Sequence, residues 1–199
     1  TPLYAWVNID GHTIYEDDVY IYRTLNLHSG LFTAEYILNC AGKSIQIREE
    51  RFFSLSNTGL LVQRVTLTPC EKMNLELFSG VHTDCCNLPV PDDQIQENTQ
   101  TVQLTEVEQK NFSDNGFSLH FLTKGTKIKI SENITYHMEN LQCRSTFEND
   151  KGAGFVFAGS VSAKVPFVIE QCAFLPTSRD KDPRIHKVGS DWNFDTLLR

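Results

Sequence analysis

The chain has 199 residues, of which 40% are hydrophobic and 22% are charged, and these fractions favour a single large folded domain with a sizeable core. The net charge of −7 argues against nucleic acid or anionic lipid as a partner, because both require clustered Lys and Arg. The sequence also lacks an apolar run of the roughly 20 residues that a membrane span needs, so we expect a soluble protein.

Alternation of apolar and polar residues with a period of two is the dominant pattern along the chain. It runs through residues 43–48, 61–68 and 75–79, where the apolar side chains fall on one face, as in half-buried strands. Pro69 ends the second of these strands because it has no N–H group to donate. The next strong turn and loop signals lie in residues 88–100, which are rich in Pro, Asp, Asn and Gln and predict a long loop.

The second half of the chain repeats the alternating pattern. Residues 117–121 and 126–130 predict a hairpin, because Gly125 between them can supply positive φ at a turn. Residues 155–164 alternate again, and Pro166 interrupts the pattern before the apolar run 167–169. Together the strands predict an all-β fold: a two-sheet antiparallel β-sandwich in residues 1–175.

The character of the chain changes after this domain. Residues 176–183 are polar and bounded by proline, as linkers often are. Asp191 or Asn193 can cap a helix that begins near Phe194. We therefore expect residues 176–199 to be a linker and the start of a helix that leads to a further domain.

Two segments of the chain are similar to a known family pattern. Residues 23–33 (RTLNLHSGLFT) and 50–55 (ERFFSL) resemble Arg-x-Leu-Asp-Leu-x-x-Gly-x-Leu followed by Glu-Arg-Phe-x-Ser-Leu in the N-terminal domain of glycoside hydrolase family 65. This family includes maltose, trehalose and kojibiose phosphorylases and acid trehalases. The resemblance covers nearly the whole chain, continuing through residues 61–69, 177–180 and 194–199. Asn26 stands where the family has Asp, and the family domain has further strands before the region matched by Thr1.

The resemblance implies a non-catalytic N-terminal β-sandwich of the supersandwich type. Its parent would be an inverting phosphorylase or hydrolase of α-glucosidic disaccharides, with inorganic phosphate as co-substrate and no cofactor. In the family, the general acid and the phosphate-binding groups belong to an (α/α)6 barrel of the same polypeptide. The expected partners are therefore that barrel, a second copy in a homodimer, and a glucoside.

The cysteines and the N-terminal residues are the features of the sequence that relate to its cellular location. The segment beginning at Thr1 has no signal-peptide pattern, and a chain with its own core does not need disulfides. We expect a cytoplasmic protein in which all six cysteines are reduced: Cys40, Cys70, Cys85, Cys86, Cys143 and Cys172.

Adjacent carboxylates are the first candidates for chemistry. Glu49 and Glu50 lie on a predicted strand, so their side chains should point to opposite faces and cannot flank one bond. Asp17 with Asp18, and Asp92 with Asp93, have loop-like surroundings. All three pairs are interpreted as solvated charges.

The sequence gives little support for a metal site, a catalytic thiol or a phosphate-binding loop. His82, Asp84, Cys85 and Cys86 are the densest group of candidate ligands, but they lack a second Cys/His pair at zinc spacing. No local motif supports Cys86 as a nucleophile. The glycines of residues 151–154 precede a strand pattern, whereas phosphate loops open a helix, so a β-turn is favoured.

Aromatic and arginine side chains are the remaining candidates. Trp6, Tyr15, Tyr20 and Tyr22 could stack on a sugar, but we expect them to be packing residues. Arg23 and Arg51 are expected in buried ion pairs or in contact with the barrel. The sequence thus predicts no catalytic, cofactor-binding or metal-binding residue.

Three functions remain, in order of preference. An accessory domain would leave bare the apolar patch that its barrel covers. A free-standing carbohydrate-binding module would present an aromatic platform to solvent. An independent enzyme ranks last, because it needs an acid/base pair that the sequence does not supply.

Overall fold

The computed structural model describes residues 4–13, 19–82, 105–139, 142–149, 152–181, 188–189 and 192–198. Within these ranges the chain forms strands and one short helix. The elements are β1 Tyr4–Ile9, β2 His12–Thr13, β3 Tyr22–Asn26, β4 Leu31–Cys40, β5 Lys43–Phe53, β6 Leu60–Pro69, β7 Met73–His82, β8 Thr105–Ser113, β9 Gly116–Thr123, β10 Lys129–Glu139, β11 Gln142–Asn149, β12 Gly152–Val161, β13 Phe167–Phe174 and α1 Phe194–Leu198.

These strands form two antiparallel sheets packed face to face. Over the described ranges, the large sheet has the order β3-β4-β5-β6-β13-β10-β9-β8, and the small sheet has the order β11-β12-β7-β1-β2. Alternate side chains from both sheets fill the space between them, as the period-two pattern requires. Fully buried members of this core include Ile9, Leu77 and Phe157 from the small sheet and Leu67, Leu119 and Ile169 from the large one. The predicted all-β antiparallel sandwich is confirmed.

Most predicted strands lie within observed ones, and two local expectations are wrong. The hairpin of β9 and β10 is present, but β10 begins only at Lys129. It is Lys127, at φ 53°, that adopts the left-handed conformation in the turn, and its N–H donates to the Thr123 carbonyl at 3.0 Å. Residues 152–154 form the start of β12 and not a β-turn. The predicted loop 88–100 lies outside the described residues.

The chain beyond β13 continues to pair with the large sheet for three residues. The Ser131 N–H donates to the Pro176 carbonyl at 2.9 Å, and the Ser178 N–H donates to the Lys129 carbonyl at 2.8 Å. Residues 178–181 are then exposed. In the part of the chain that the structure describes, no helix is long and apolar enough to cross a membrane.

One carboxyl group breaks the apolar pattern of the core. Glu132 of β10 lies between Ile130 and Ile134 on the core-facing side, is only 4% exposed, and pairs in register with Leu119. Its Oε1 atom is buried without a hydrogen-bond partner among the described residues. Burial raises the pKa of Glu132 to about 8, because desolvation penalises the carboxylate form.

The raised pKa of Glu132 predicts a stability that falls as the pH rises. The unfolded chain ionises this group above pH ~4.3, whereas the folded chain keeps it protonated until about pH 8. Over this window the free energy of unfolding should fall by up to roughly 1.4 kcal/mol per pH unit and then level off. Glu132→Gln should remove this slope, making the variant more stable than the parent at pH 8 but not at pH 4.

Denaturant unfolding at several pH values measures the effect. The exposed Glu106→Gln is the matched control and should keep the parental slope. Equal slopes for Glu132→Gln and the parent would contradict the buried, protonated state of Glu132.

Candidate functional site on the outer face of the large sheet

An apolar row crosses the solvent side of the large sheet. Phe52, Val62 and Cys172 are in-register neighbours on β5, β6 and β13, and their side chains point away from the main core. Phe194 of α1 packs on this row, with its ring centroid 5.2 Å from that of Phe52 in an edge-to-face arrangement. Trp192 covers the neighbouring surface and donates from Nε1 to Thr135 Oγ1 at 3.1 Å. The row therefore fixes the C-terminal segment on the sheet.

The start of α1 is capped as the sequence predicts. Asn193 Oδ1 accepts a hydrogen bond from the Thr196 N–H at 2.9 Å, which satisfies one of the free donors in the first helical turn. The alternative cap, Asp191, lies outside the described residues. Because α1 has only five residues, its position depends on tertiary contacts more than on its own helical stability.

A charged row lies next to the apolar one. Arg64 of β6 faces Glu170 of β13, and its Nε donates to Glu170 Oε1 at 2.9 Å. The guanidinium also makes a bidentate contact with Asp195 of α1, from Nη1 to Oδ1 at 3.1 Å and from Nη2 to Oδ2 at 2.9 Å. It lies over the Phe194 ring, 4.3 Å from the centroid, and the Phe194 N–H donates to Glu170 Oε2 at 3.1 Å. We refer to Arg64, Glu170, Asp195 and Phe194 as the Arg64 cluster.

The electrostatics of the Arg64 cluster favour the paired state. Desolvation by burial lowers the pKa of Arg64, but hydrogen bonds and charges from Asp195 and Glu170 more than offset this, so the pKa is raised. The Glu170 side chain is 9% exposed, whereas that of Asp195 is 68% exposed. The Arg64–Glu170 pair is therefore largely shielded from water, while Asp195 adds an exposed contact from the helix.

A second ion-pair group lies beside the Arg64 cluster. Arg48 of β5 donates from Nη1 to Glu35 Oε1 at 2.7 Å and from Nη2 to Glu50 Oε1 at 2.9 Å. Hydrogen bonding to Glu50 is the main cause that raises the pKa of Arg48. Between the two arginines the sheet face is open as a cleft of about 570 Å³. The cleft is lined by Arg48, Glu50, Arg64, Thr66, His137, Val168, Glu170, Asn193 and Asp195.

Glu49 and Glu50 are adjacent in the sequence, and their side chains point to opposite faces of the sheet, as predicted. Glu50 is in the cleft, whereas Glu49 is on the core-facing side, where its Oε1 accepts a hydrogen bond from the Tyr36 hydroxyl at 2.6 Å. Their interpretation as solvated charges is wrong, because both side chains are partly buried and hydrogen-bonded. The two carboxylates therefore cannot act together on one bond.

Most other candidates from the sequence are not in the described part of the chain. Outside it lie Tyr15, Asp17, Asp18, Asp84, Cys85, Cys86, Asp92 and Asp93, together with the side chains of Trp6, His82 and Cys143. Among the residues that are described, no group of three or more His, Cys, Asp or Glu side chains is placed to hold a metal ion. Cys40, Cys70 and Cys172 are free thiols, and burial raises the pKa of Cys172 to about 12.

The remaining aromatic and arginine candidates are at the surface. Tyr20 and Tyr22 are exposed, so the expectation that they are packing residues is wrong. Arg23 and Arg51 are exposed as well, and neither is in a buried ion pair. The Arg51 guanidinium lies over the Phe32 ring, 4.4 Å from its centroid.

An exposed apolar surface lies at the end of the large sheet where β3 joins β4 and β5 joins β6. Leu27 and Leu55 lie in these two turns and are 86% and 87% exposed. Leu25 and Phe53, in the adjoining strands, are also exposed. We call these four residues the apolar rim. The rim coincides with segments 23–33 and 50–55, which carry the family resemblance.

Comparison with known proteins gives the family. The model for the N-terminal domain of glycosyl hydrolase family 65 matches residues 7–198. The chain belongs to this family. No curated protein sequence matches the chain significantly. The family assignment therefore rests on the domain model.

A solved structure supports the same fold for this family 65 domain. A human-microbiome protein assigned as a kojibiose phosphorylase superposes with a TM-score of 0.73 at 14% identity, covering 87% of this chain and 22% of that one. The chain thus spans less than a quarter of the length of that protein.

Two further structures are less similar. A mutant heparan sulfate lyase HepC from Pedobacter heparinus has a TM-score of 0.39 at 8% identity, over 85% of this chain and 23% of that one. A family 36 α-galactosidase from Geobacillus stearothermophilus has a TM-score of 0.37 at 11% identity, over 86% of this chain and 30% of that one.

The Arg64 cluster was not predicted from the sequence. Arg64 is 106 positions from Glu170 and 131 from Asp195, so no local pattern links them. One available signal was that Arg64 occupies a solvent-side position in the predicted strand 61–68, two residues after the apolar Val62 on the same face.

Replacing Arg64 tests how much the cluster stabilises the C-terminal segment. Arg64→Leu leaves the Glu170 carboxylate buried without its main partner, so we expect the free energy of unfolding to fall by about 3–5 kcal/mol. The double variant Arg64→Leu/Glu170→Leu should lose markedly less, because neither charge is left alone.

Asp195→Asn is the control, and because this side chain is exposed the loss should be under about 1 kcal/mol. Denaturant unfolding gives all three values. A loss for Arg64→Leu no larger than that for Asp195→Asn would contradict the stabilising role of the buried pair.

Proposed function

We propose that this chain is the non-catalytic N-terminal β-sandwich domain of a family 65 enzyme that acts on α-glucosidic disaccharides. The observation that carries the proposal is the match of the family 65 N-terminal domain model to residues 7–198. The fold shared with 22% of a protein assigned as a kojibiose phosphorylase supports it. In this proposal the reaction belongs to an (α/α)6 barrel in the same polypeptide.

The apolar rim is the surface that we assign to the contact with that barrel. Its four large apolar side chains are each more than half exposed and lie at the same end of the large sheet, in β3 and β5 and in the turns that follow these strands. Exposed apolar clusters of this kind mark interaction surfaces, because leaving them in water is unfavourable. The nearby Arg51 adds a cationic group to the same surface.

The Arg64 cluster has a complementary role in the proposal. It fixes the first turn of α1 on the outer face of the sheet through a bidentate ion pair, a cation–π contact and a backbone hydrogen bond. A helix held in this way leaves the sandwich in a defined direction. The domain would then orient the barrel through α1 and contact it through the rim.

The chemistry of the proposed parent follows the family. We expect inverting phosphorolysis, in which inorganic phosphate attacks the anomeric carbon while a glutamic acid protonates the leaving oxygen. A cytoplasmic homodimer is part of the same proposal. The choice of disaccharide would depend on barrel residues that this chain does not contain.

The proposal predicts a native gene product much larger than 22.7 kDa, the mass of this chain. Intact mass spectrometry of the protein purified from its source measures the size, and release of glucose 1-phosphate from maltose, trehalose and kojibiose measures the activity. We expect a product several times heavier that shows phosphate-dependent cleavage of at least one of these sugars. Hydrolysis without phosphate would indicate a family 65 hydrolase. A native product of about the size of this chain would overturn the accessory-domain proposal.

A further inference from the structure

The cleft on the outer face has a floor that is suited to a small ligand. Thr66 of β6 and Val168 of β13 are in-register neighbours, and both side chains are half-buried at the base of the cleft. Strands β5, β6, β13 and β10 each contribute lining residues, so the cleft spans roughly 14 Å at the usual strand spacing. A volume of about 570 Å³ can hold one or two sugar rings.

Hydrogen-bonding groups in the cleft are left over after the ion pairs are made. Arg48 uses two N–H groups for Glu35 and Glu50, so three of its five donors have no partner among the described residues. Glu50 accepts from Arg48 through Oε1, while its Oε2 has no partner within the described ranges. The Glu50 side chain is only 13% exposed and is part of the cleft lining. A donor and an acceptor therefore lie side by side.

The charges of the lining favour a neutral ligand over an ion. Arg48 and Arg64 are both paired with carboxylates, and the three lining carboxylates leave a formal charge of only −1. An anion would lie against Glu50 and Glu170, and a cation would lie against the two guanidinium groups. A hydroxyl group donates one hydrogen bond and accepts others, so vicinal hydroxyls match the mixed lining without bringing a charge.

An exposed aromatic ring lies beside the cleft. Tyr22 of β3 pairs in register with Glu35, which pairs in register with Arg48, so the three side chains share one row of the outer face. The Tyr22 side chain is exposed. Aromatic faces pack against the apolar faces of pyranose rings while their polar tips remain hydrated.

We propose that the cleft binds a neutral saccharide, with one pyranose ring over Thr66 and Val168 and its vicinal hydroxyls bonded to Arg48 and Glu50. Tyr22 would contact a second ring that extends along the row. The inference concerns residues of this chain alone, so it holds or fails independently of the proposed catalytic parent.

Titration of the ¹⁵N-labelled chain with maltose tests the proposal. We expect saturable shifts of the backbone amide signals of Arg48, Thr66 and Val168, with a Kd of about 1 mM, as for a ligand held by few hydrogen bonds. Glu50→Gln keeps the size of the side chain and removes its charge, so the affinity should fall about tenfold. The exposed Glu108→Gln on β8 is the matched control and should bind maltose as the parent does.

A second variant tests the same proposal in case Glu50→Gln does not fold. Val168→Phe fills the floor of the cleft without removing a member of either ion pair, and it should abolish the shifts while the rest of the spectrum stays native. L-arginine and inorganic phosphate serve as cationic and anionic probes and should not displace maltose. Shifts caused by either probe and not by maltose would overturn the proposal, as would maltose shifts confined to other residues or no shifts at all.

Discussion

The Arg64–Glu170 ion pair is the interaction on which the outer face of the molecule depends. A buried ion pair is costly to desolvate and stabilises a fold only when its hydrogen-bonding groups are fully used. Here Glu170 accepts from the Arg64 side chain through one oxygen and from the Phe194 backbone through the other. The pair therefore joins two strands of the large sheet to the first turn of α1, and neither partner can be removed alone without cost.

The two faces of the large sheet have different roles because of this arrangement. The core-facing side is apolar and packs against the small sheet, which is sufficient to specify the sandwich. The outer side carries an apolar row under α1, then the charged row, then the open cleft. Glu170 belongs both to the Arg64 cluster and to the cleft lining, so the contact that positions the helix also shapes the cleft.

The sequence predicted the fold well where strands are half-buried and poorly where they are not. Strand β5 and the second half of β6 alternate in burial because one face of each packs in the core, whereas the first six residues of β12 are all buried. Strand β3 was missed because all five of its residues are exposed, and β4 because only its second half alternates in burial. The turn before β10 was misplaced because Lys127 adopts a conformation that usually indicates glycine.

The site was harder to predict for a different reason. Local patterns found the Asn193 cap, since a cap and its acceptor lie within one helical turn. They did not find the Arg64 cluster, because its members come from three elements that only the topology brings together. Glu132 was missed likewise, since nothing local distinguishes its buried carboxyl from the solvated ones. An ion pair between strands that are far apart in the sequence produces no periodic pattern, so a single sequence does not reveal it.

Hydrogen–deuterium exchange on this chain and on the purified native gene product tests whether the Arg64 cluster holds α1 and whether the apolar rim is a contact surface. We expect α1 to be protected in both proteins, because the Arg64 cluster holds it on the sheet. We also expect residues 25–27 and 53–55, which carry the apolar rim, to exchange faster in this chain than in the native product, where the proposed barrel would cover them. Equal exchange of these rim residues in this chain and in a larger native product would contradict the proposed barrel contact. An unprotected α1 in this chain would contradict the role of the Arg64 cluster.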